Sequence, residues 1–372
     1  MQEDKKVRQS NFELLRIIAM LMIVAHHFSV HSGFAWGSLK GINGTFLNFI
    51  SIWGKIGNNI FILISGYFLV TVKTLKINKI LKLWLQIFSY SILILFLACV
   101  IDTNYADGCL RFSFAISGIG RLSTRELLMH LFPIGFGEWW FASTYFMLFL
   151  LSPFINKALL NMTRKEYQIM LVFVLFFWCI VPSITKGLVL YGSNNLLWFI
   201  TVYCVAGYIR LHMKQTNIQG GAYIVLAITF AVLYFCFDKI SFKPNSFFSF
   251  LNHFKIGFAR NEYISVFMVS LLLFIGFMKL DIGENRLINY VASTTFGIYL
   301  IHDSNYLRPF LWRRFFKGAE LCTNKILIPY AIMAIMIVFI ACSLFDILRK
   351  ITIERCYSNM VKQISAFIEK KQ

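Results

Sequence analysis

Apolar runs close to helical membrane-spanning length recur along the chain, separated by short polar segments. A transmembrane helix needs roughly 20 mostly apolar residues. The pattern predicts ten of them, at residues 14–30, 53–72, 80–101, 139–160, 166–184, 196–212, 221–238, 263–279, 287–302 and 326–348. No long Pro-, Gly- or Ser-rich linker separates them, and no repeat of fixed period is visible. The expected fold is all-α: a polytopic membrane helical bundle forming a single domain over residues 1–372. Its spans run from about 12 to 348, and a basic cytoplasmic tail covers 349–372. Two helix starts are legible. Thr163-Arg-Lys-Glu166 has the form of a capping box opening the fifth span. Ser123-Thr-Arg-Glu126 does the same for a short interfacial helix over 125–131, within one of two long outer loops, 102–138 and 239–262.

Composition agrees with this pattern. The chain is 58% hydrophobic and 14% charged, whereas soluble domains carry about 25% charged residues. A net charge of +19 in a soluble protein would suggest nucleic acid. Here the basic residues are confined to the segments between apolar runs, and no nucleic-acid motif accompanies them. The positive-inside rule and anionic lipid head groups account for the excess. An even number of spans puts both termini on one side. Basic clusters such as Lys73-Lys76-Lys79-Lys82 and Arg349-Lys350-Arg355 make that side the cytoplasm. The basic N-terminus followed by an apolar stretch imitates a signal peptide. Glu13, Arg16, His26 and His27 interrupt that stretch and no small-residue cleavage site follows, so the reading is a retained first helix. The eight cysteines show no metal spacing, and no metal site is expected.

Those interruptions carry the candidate chemistry. At 100° per residue, the eleven steps from Arg16 to His27 make three turns plus about 20°, so the two share a face about 16 Å apart. Glu13 and His31 fall near the same stripe, and His26 lies about 100° away. Ionisable groups inside a membrane face protein or water and mark functional sites by default. The alternatives are that Arg16 snorkels to the interface and that His27 is a structural histidine near a helix end. The 16 Å separation means Arg16 and His27 cannot hold the same reacting atom. Glu13, three residues before Arg16, is placed to pair with it.

The stretch Asn11-Phe-Glu-Leu-Leu-Arg16 through Ala25-His26-His27 resembles the start of the acyltransferase 3 family, with its Arg-x10-His pattern in the first helix. Phe61-Ile-Leu-Ile-Ser-Gly-Tyr67 is similar to that family's second-helix signature. Glu138-Trp-Trp-Phe through Leu151-Ser-Pro-Phe-Ile-Asn156, and Ser293-Thr-Thr-Phe-Gly-Ile-Tyr-Leu-Ile-His302, resemble two later motifs. The likeness covers residues 9 to about 348.

The resemblance implies an integral membrane acyltransferase transferring groups other than aminoacyl groups. The expected reaction is O-acetylation of a cell-surface or exported polysaccharide, polymeric or lipid-linked, with acetyl-CoA as co-substrate and no permanently bound cofactor. The setting implied is the bacterial cytoplasmic membrane. His27 is the expected general base. Arg16 and Glu13 support the donor. The family's Arg-x-x-Arg pair after the second helix, linked to the donor, is replaced here by Lys76, Lys79 and Lys82. Lysine attracts phosphate but lacks the bidentate fork of arginine, and a plain orientation cluster explains the same residues. His302, Trp139 and Trp140 are candidates for the acceptor site, with a helix-capping role and an interfacial aromatic belt as their alternatives. The rival function is a glycan or lipid transporter or flippase without acyl transfer. Such proteins show paired halves and broken helices, and this chain gives little sign of either.

Overall fold

In the computed structural model, residues 9–103, 112–114, 124–185, 196–214, 216–240 and 257–369 are described. In chain order the helices are α1 (Ser10–His31), α2 (Gly41–Ser51), α3 (Trp53–Leu69) and α4 (Ile77–Val100), followed by a short antiparallel ribbon of β1 (Ile101–Thr103) and β2 (Phe112–Phe114). Next come α5 (Thr124–Leu131), α6 (Trp140–Asn161) and α7 (Arg164–Leu175), which runs through a π turn at Phe176–Ile180 into α8 (Val181–Thr185). Then follow α9 (Leu196–His212), α10 (Gly220–Lys239), α11 (Ile264–Met278), α12 (Arg286–Ala292) and α13 (Thr295–His302). The last are α14 (Leu307–Pro309), leading into a π turn at Phe310–Phe315, α15 (Leu327–Arg349) and, after a further π turn, α16 (Arg355–Glu369).

Among the described residues, seven helical stretches are long and apolar enough to cross a membrane: Ser10–His31, Gly41–Leu69, Ile77–Leu97, Trp140–Asn161, Arg164–Thr185, Gly220–Lys239 and Leu327–Ile368. Leu196–His212 and Ile264–Met278 are apolar but shorter. The expected span at 287–302 is not one helix. It breaks between α12 and α13 at Ser293-Thr294. Hydroxyl side chains offer the backbone local partners that compete with the helical ladder. Here Ser293 Oγ donates to the Tyr290 carbonyl at 2.6 Å, and Thr294 Oγ1 lies 2.8 Å from Ser343 Oγ. The residues expected to form a tail are largely helical as α16, which packs on α4. Thr163 and Glu166 form the expected capping box. The box proposed at 123–126 begins outside the described residues, but α5 is present.

The chain clusters into two compact units, each assembled from three separate stretches. One comprises Met1–Ile23, Ile52–Lys73 and Leu151–Ser293; the other comprises Val24–Ser51, Thr74–Leu150 and Thr294–Gln372.

The first unit shows how polar residues are accommodated among apolar helices. A Cβ at Gly57 of α3 would stand 2.6 Å from the Ala19 carbonyl of α1, so only glycine permits this approach. Asn156, from the Ser-Pro-Phe-Ile-Asn motif, donates to the carbonyls of Leu69 and Val72 at 2.7 and 2.8 Å. It thereby adds a donor to carbonyls at the end of α3, of which that of Leu69 also accepts from the Val72 N–H. Tyr203 in turn donates to Asn156 Oδ1 at 2.7 Å. Asn59 bridges the Asn261 carbonyl and the Trp198 indole N–H.

The second unit contains a buried charge cluster. Asp346 of α15, fully buried, accepts from Tyr90 Oη at 2.6 Å and Arg349 Nε at 2.9 Å. Arg349 also reaches Glu354 and Tyr357. A Cβ at Gly297 of α13 would collide with the Asp346 carboxyl. The glycine in Thr-Phe-Gly-Ile-Tyr is therefore what lets α13 press against this cluster.

Candidate active site

The last turns of α1 lie in the second unit and present three histidines with different fates. His26 directs Nδ1 at the Ser51 carbonyl and is tied to the backbone. His27, 9% exposed, places Nδ1 2.9 Å from Nε2 of the fully buried His302. His31 lies one turn on, with its ring centroid 5.1 Å from that of His27.

The histidine pair has a defined proton order. His302 Nδ1 lies 2.6 Å from the Ile298 carbonyl, one turn back in α13. A carbonyl only accepts, so His302 carries its proton on Nδ1. In neutral His302, Nε2 is then an acceptor. His27 Nδ1 must therefore be the donor between the two rings, which leaves the lone pair of neutral His27 on Nε2. A main-chain carbonyl of α13 thus determines which nitrogen of α1 is basic.

Immediately after His302 the chain turns, and Ser304 Oγ accepts from the Leu307 N–H at 3.1 Å as α14 begins. This turn holds Asp303, 4% exposed, with Oδ1 3.7 Å from His27 Nδ1. That is beyond a hydrogen bond but within reach of a through-space charge interaction. Arg308 Nη1 donates to Asp303 Oδ1 at 3.0 Å, and Nη2 to Asn305 Oδ1 at 3.1 Å. Asn305 in turn gives its backbone and side-chain N–H groups to buried Glu138, at 3.1 and 3.0 Å. Burial pushes the Asp303 carboxyl up to about 6, with the Arg308 guanidinium pulling the other way. His27, His31 and Asp303 also bring one donor atom each within 4.8 Å of one another. Two His on one helix face plus a carboxylate is a zinc-type donor set. Asp303 Oδ1 already accepts from Arg308 and His27 Nδ1 meets His302, which leaves His27 Nε2 as that residue's open nitrogen.

This arrangement offers a base nitrogen with its tautomer set and a nearby carboxylate for the charge that follows protonation, logic shared with nucleophile-activating triads. A family model described as an acyltransferase domain, that of acyltransferase 3, matches residues 9–347. The chain belongs to the acyltransferase 3 family. It is a membrane acyltransferase. No curated protein and no solved structure matches the chain.

The remaining expected residues of this acyltransferase fall in several places. Arg16 and Glu13 form an ion pair at 3.1 Å in the part of α1 that belongs to the first unit. Lys76, Lys79 and Lys82 are exposed around the start of α4. Spaced by three, they occupy a sector of about 120°. Trp139 is only 1% exposed, which leaves no face for a sugar to stack on, while Trp140 is partly exposed. Asp303, Asn305 and Arg308 were not anticipated. Their one sequence signal is a polar cluster directly after the motif histidine.

Proposed function

We propose that the protein transfers an acetyl group from acetyl-CoA to a hydroxyl of a cell-surface or exported polysaccharide, with His27 as general base. The observation that carries this reading is the chain from the Ile298 carbonyl through His302 to His27, which leaves Nε2 of His27 free to accept a proton. A sugar hydroxyl does not ionise unaided at neutral pH. In this scheme His27 Nε2 removes its proton as the oxygen attacks the thioester carbonyl. The carbon–sulfur bond breaks, and the proton passes from His27 to the departing thiolate. The products are an acetyl ester and coenzyme A. Asp303 offsets the transient positive charge on His27. Lys76, Lys79 and Lys82 supply charge for the donor's phosphates. Arg16, about 16 Å from His27 along α1, acts away from the reacting atoms.

The test is His27→Ala in the intact membrane protein, with O-acetyl groups on surface glycan read by NMR and transfer from radiolabelled acetyl-CoA measured in isolated membranes. A general base contributes about 10²–10⁴-fold, so transfer should fall by at least two orders of magnitude at unchanged protein level. Near-normal transfer in this variant would remove His27 from the mechanism.

A further inference from the structure

His31, in the last turn of α1, has no part in the acyl transfer described above, yet it stands beside two groups that do. His27 and His31 are four residues apart, which puts both rings on one face of α1. That is the spacing by which a helix offers two imidazoles to one metal ion. Asp303, from the turn after α13, brings a carboxylate to the same place, and one donor atom from each of the three falls within 4.8 Å of the others. Around zinc, bonds of about 2.0–2.2 Å in a tetrahedron set neighbouring donors roughly 3.4 Å apart. The three groups therefore need to draw together by about 1.4 Å at most, which small turns of the side chains supply.

The groups behind these donors are of the kind that a metal site needs. Metal-binding imidazoles give their second ring N–H to an acceptor, which fixes the tautomer, and ligating carboxylates are themselves hydrogen-bonded. His27 Nδ1 meets His302, itself set by the Ile298 carbonyl, so the nitrogen left for an ion is Nε2. Arg308 Nη1 bonds Oδ1 of Asp303 and leaves Oδ2. The local charge also has room for a cation. Asp303 and Glu138 are both buried; Arg308 bonds Asp303 and Asn305, and Asn305 bonds Glu138. Two acidic groups thus share one hydrogen-bonded guanidinium in a region of low dielectric, where uncompensated charge is costly. Arg313, whose Nε donates to the His31 carbonyl, is exposed, so solvent screens it. His31 is the most exposed of the three donors, which gives the site a side open to a hydrated ion.

We infer that His27, His31 and Asp303 bind a zinc ion, with water in the fourth position, and that the bound ion switches acyl transfer off. Imidazole nitrogen beside carboxylate oxygen suits zinc, whereas magnesium and calcium take oxygen ligands. The site rests on the donor geometry alone. The switch rests on the acyl-transfer reading: the ion takes the lone pair of His27 Nε2, and that nitrogen then no longer accepts the hydroxyl proton. The enzyme is thereby sensitive to free zinc on the side of the membrane at which α1 ends.

The test uses the full-length protein, in detergent for binding and in isolated membranes for transfer, with zinc chloride as probe. Competition with a fluorescent chelator should show one zinc bound per chain. Cobalt in its place should give the intense visible bands of a four-coordinate ion, without thiolate charge transfer. His31→Ala should weaken zinc binding at least tenfold and release acyl transfer from zinc inhibition, with transfer in the absence of zinc unchanged. His31→Cys, which restores a zinc ligand, should bring the inhibition back, and a chelator should reverse it. Wild-type zinc affinity in His31→Ala would overturn the site, as would the cobalt spectrum of a six-coordinate ion. Loss of transfer on chelation, restored by zinc, would overturn the inhibition. Zinc bound through His31 with no effect on transfer would keep the site and take the proton-accepting role away from His27.

Discussion

The basic nitrogen of His27 is selected at a distance, because the Ile298 carbonyl orders the proton on His302 and His302 orders the proton on His27. In the proposed reaction His302 is a positioning residue. His302→Phe, which cannot accept from His27 Nδ1, should lower kcat at least tenfold, and by up to about 10⁴-fold if the wrong tautomer comes to dominate. KM for acetyl-CoA should not change. His302→Gln, whose amide oxygen can accept the same proton, should recover much of the loss. Equal inactivity of the two variants would reduce His302 to packing. Asp303 gives a prediction in pH. Its carboxyl stands at about 6 with Arg308 pulling it down. Arg308→Met removes that pull and raises the carboxyl further, leaving less of it ionised near neutrality. The acid limb of the transfer rate should therefore move to higher pH, and an unmoved limb would separate Asp303 from the reaction. Of these residues, Arg16 and His27 were legible from helical arithmetic and the family pattern. Asp303 and Arg308 were not, because they follow the last helical turn, where no periodicity says which way a side chain points.

At the scale of single elements, the short helix α13 carries more constraint than its eight residues suggest. Gly297 meets the Asp346 carboxyl where any Cβ would collide. Gly297→Ala should cost about 1–3 kcal/mol, the range for overpacking, seen as a lower Tm in detergent. Gly221→Ala, at an exposed position of α10 with nothing within 4 Å, should be neutral or slightly stabilising. Equal effects at both sites would mean that Gly297 is not pressed against the cluster. The apolar run over 287–302 read as one span because hydropathy averages across Ser293-Thr294-Thr295. At the break two hydroxyls are hydrogen-bonded, one of them to Ser343 in α15, a partner that local sequence cannot announce. Asp346 inside the last run did carry a visible signal, a carboxylate at membrane depth. Its partners Tyr90 and Arg349 become apparent only once α4 and α15 are packed together.

For the molecule as a whole, the alternation of apolar and basic segments located several long helices within a few residues, but missed α2 ahead of α3 and the helical continuation of α15 into α16. What that alternation leaves out is interleaving. Each compact unit draws on the start, middle and later parts of the chain, a matter of packing to which hydropathy is blind. The donor prediction belongs at this scale, because a cluster of exposed lysines acts through the field it sets up. Lys79→Ala combined with Lys82→Ala should raise KM for acetyl-CoA several-fold, and the wild-type KM should rise with salt as screening grows. If neither changes, the cluster serves only to orient the chain in the membrane.

Between Arg16 and His27, α1 contains neither glycine nor proline and is helical throughout. It behaves as a ruler whose graduations are residues. Swapping one apolar side chain for another between the two marks leaves their spacing and relative angle untouched. Inserting or deleting a single residue turns one mark by about 100° relative to the other and shifts it by about 1.5 Å. Its half-buried positions Ile17, Ile18, Leu21 and Met22 should therefore accept other apolar side chains while the segment refuses any change in length. Saturation mutagenesis of those four positions set beside a library of single-residue insertions and deletions over residues 17–22 would show that asymmetry directly.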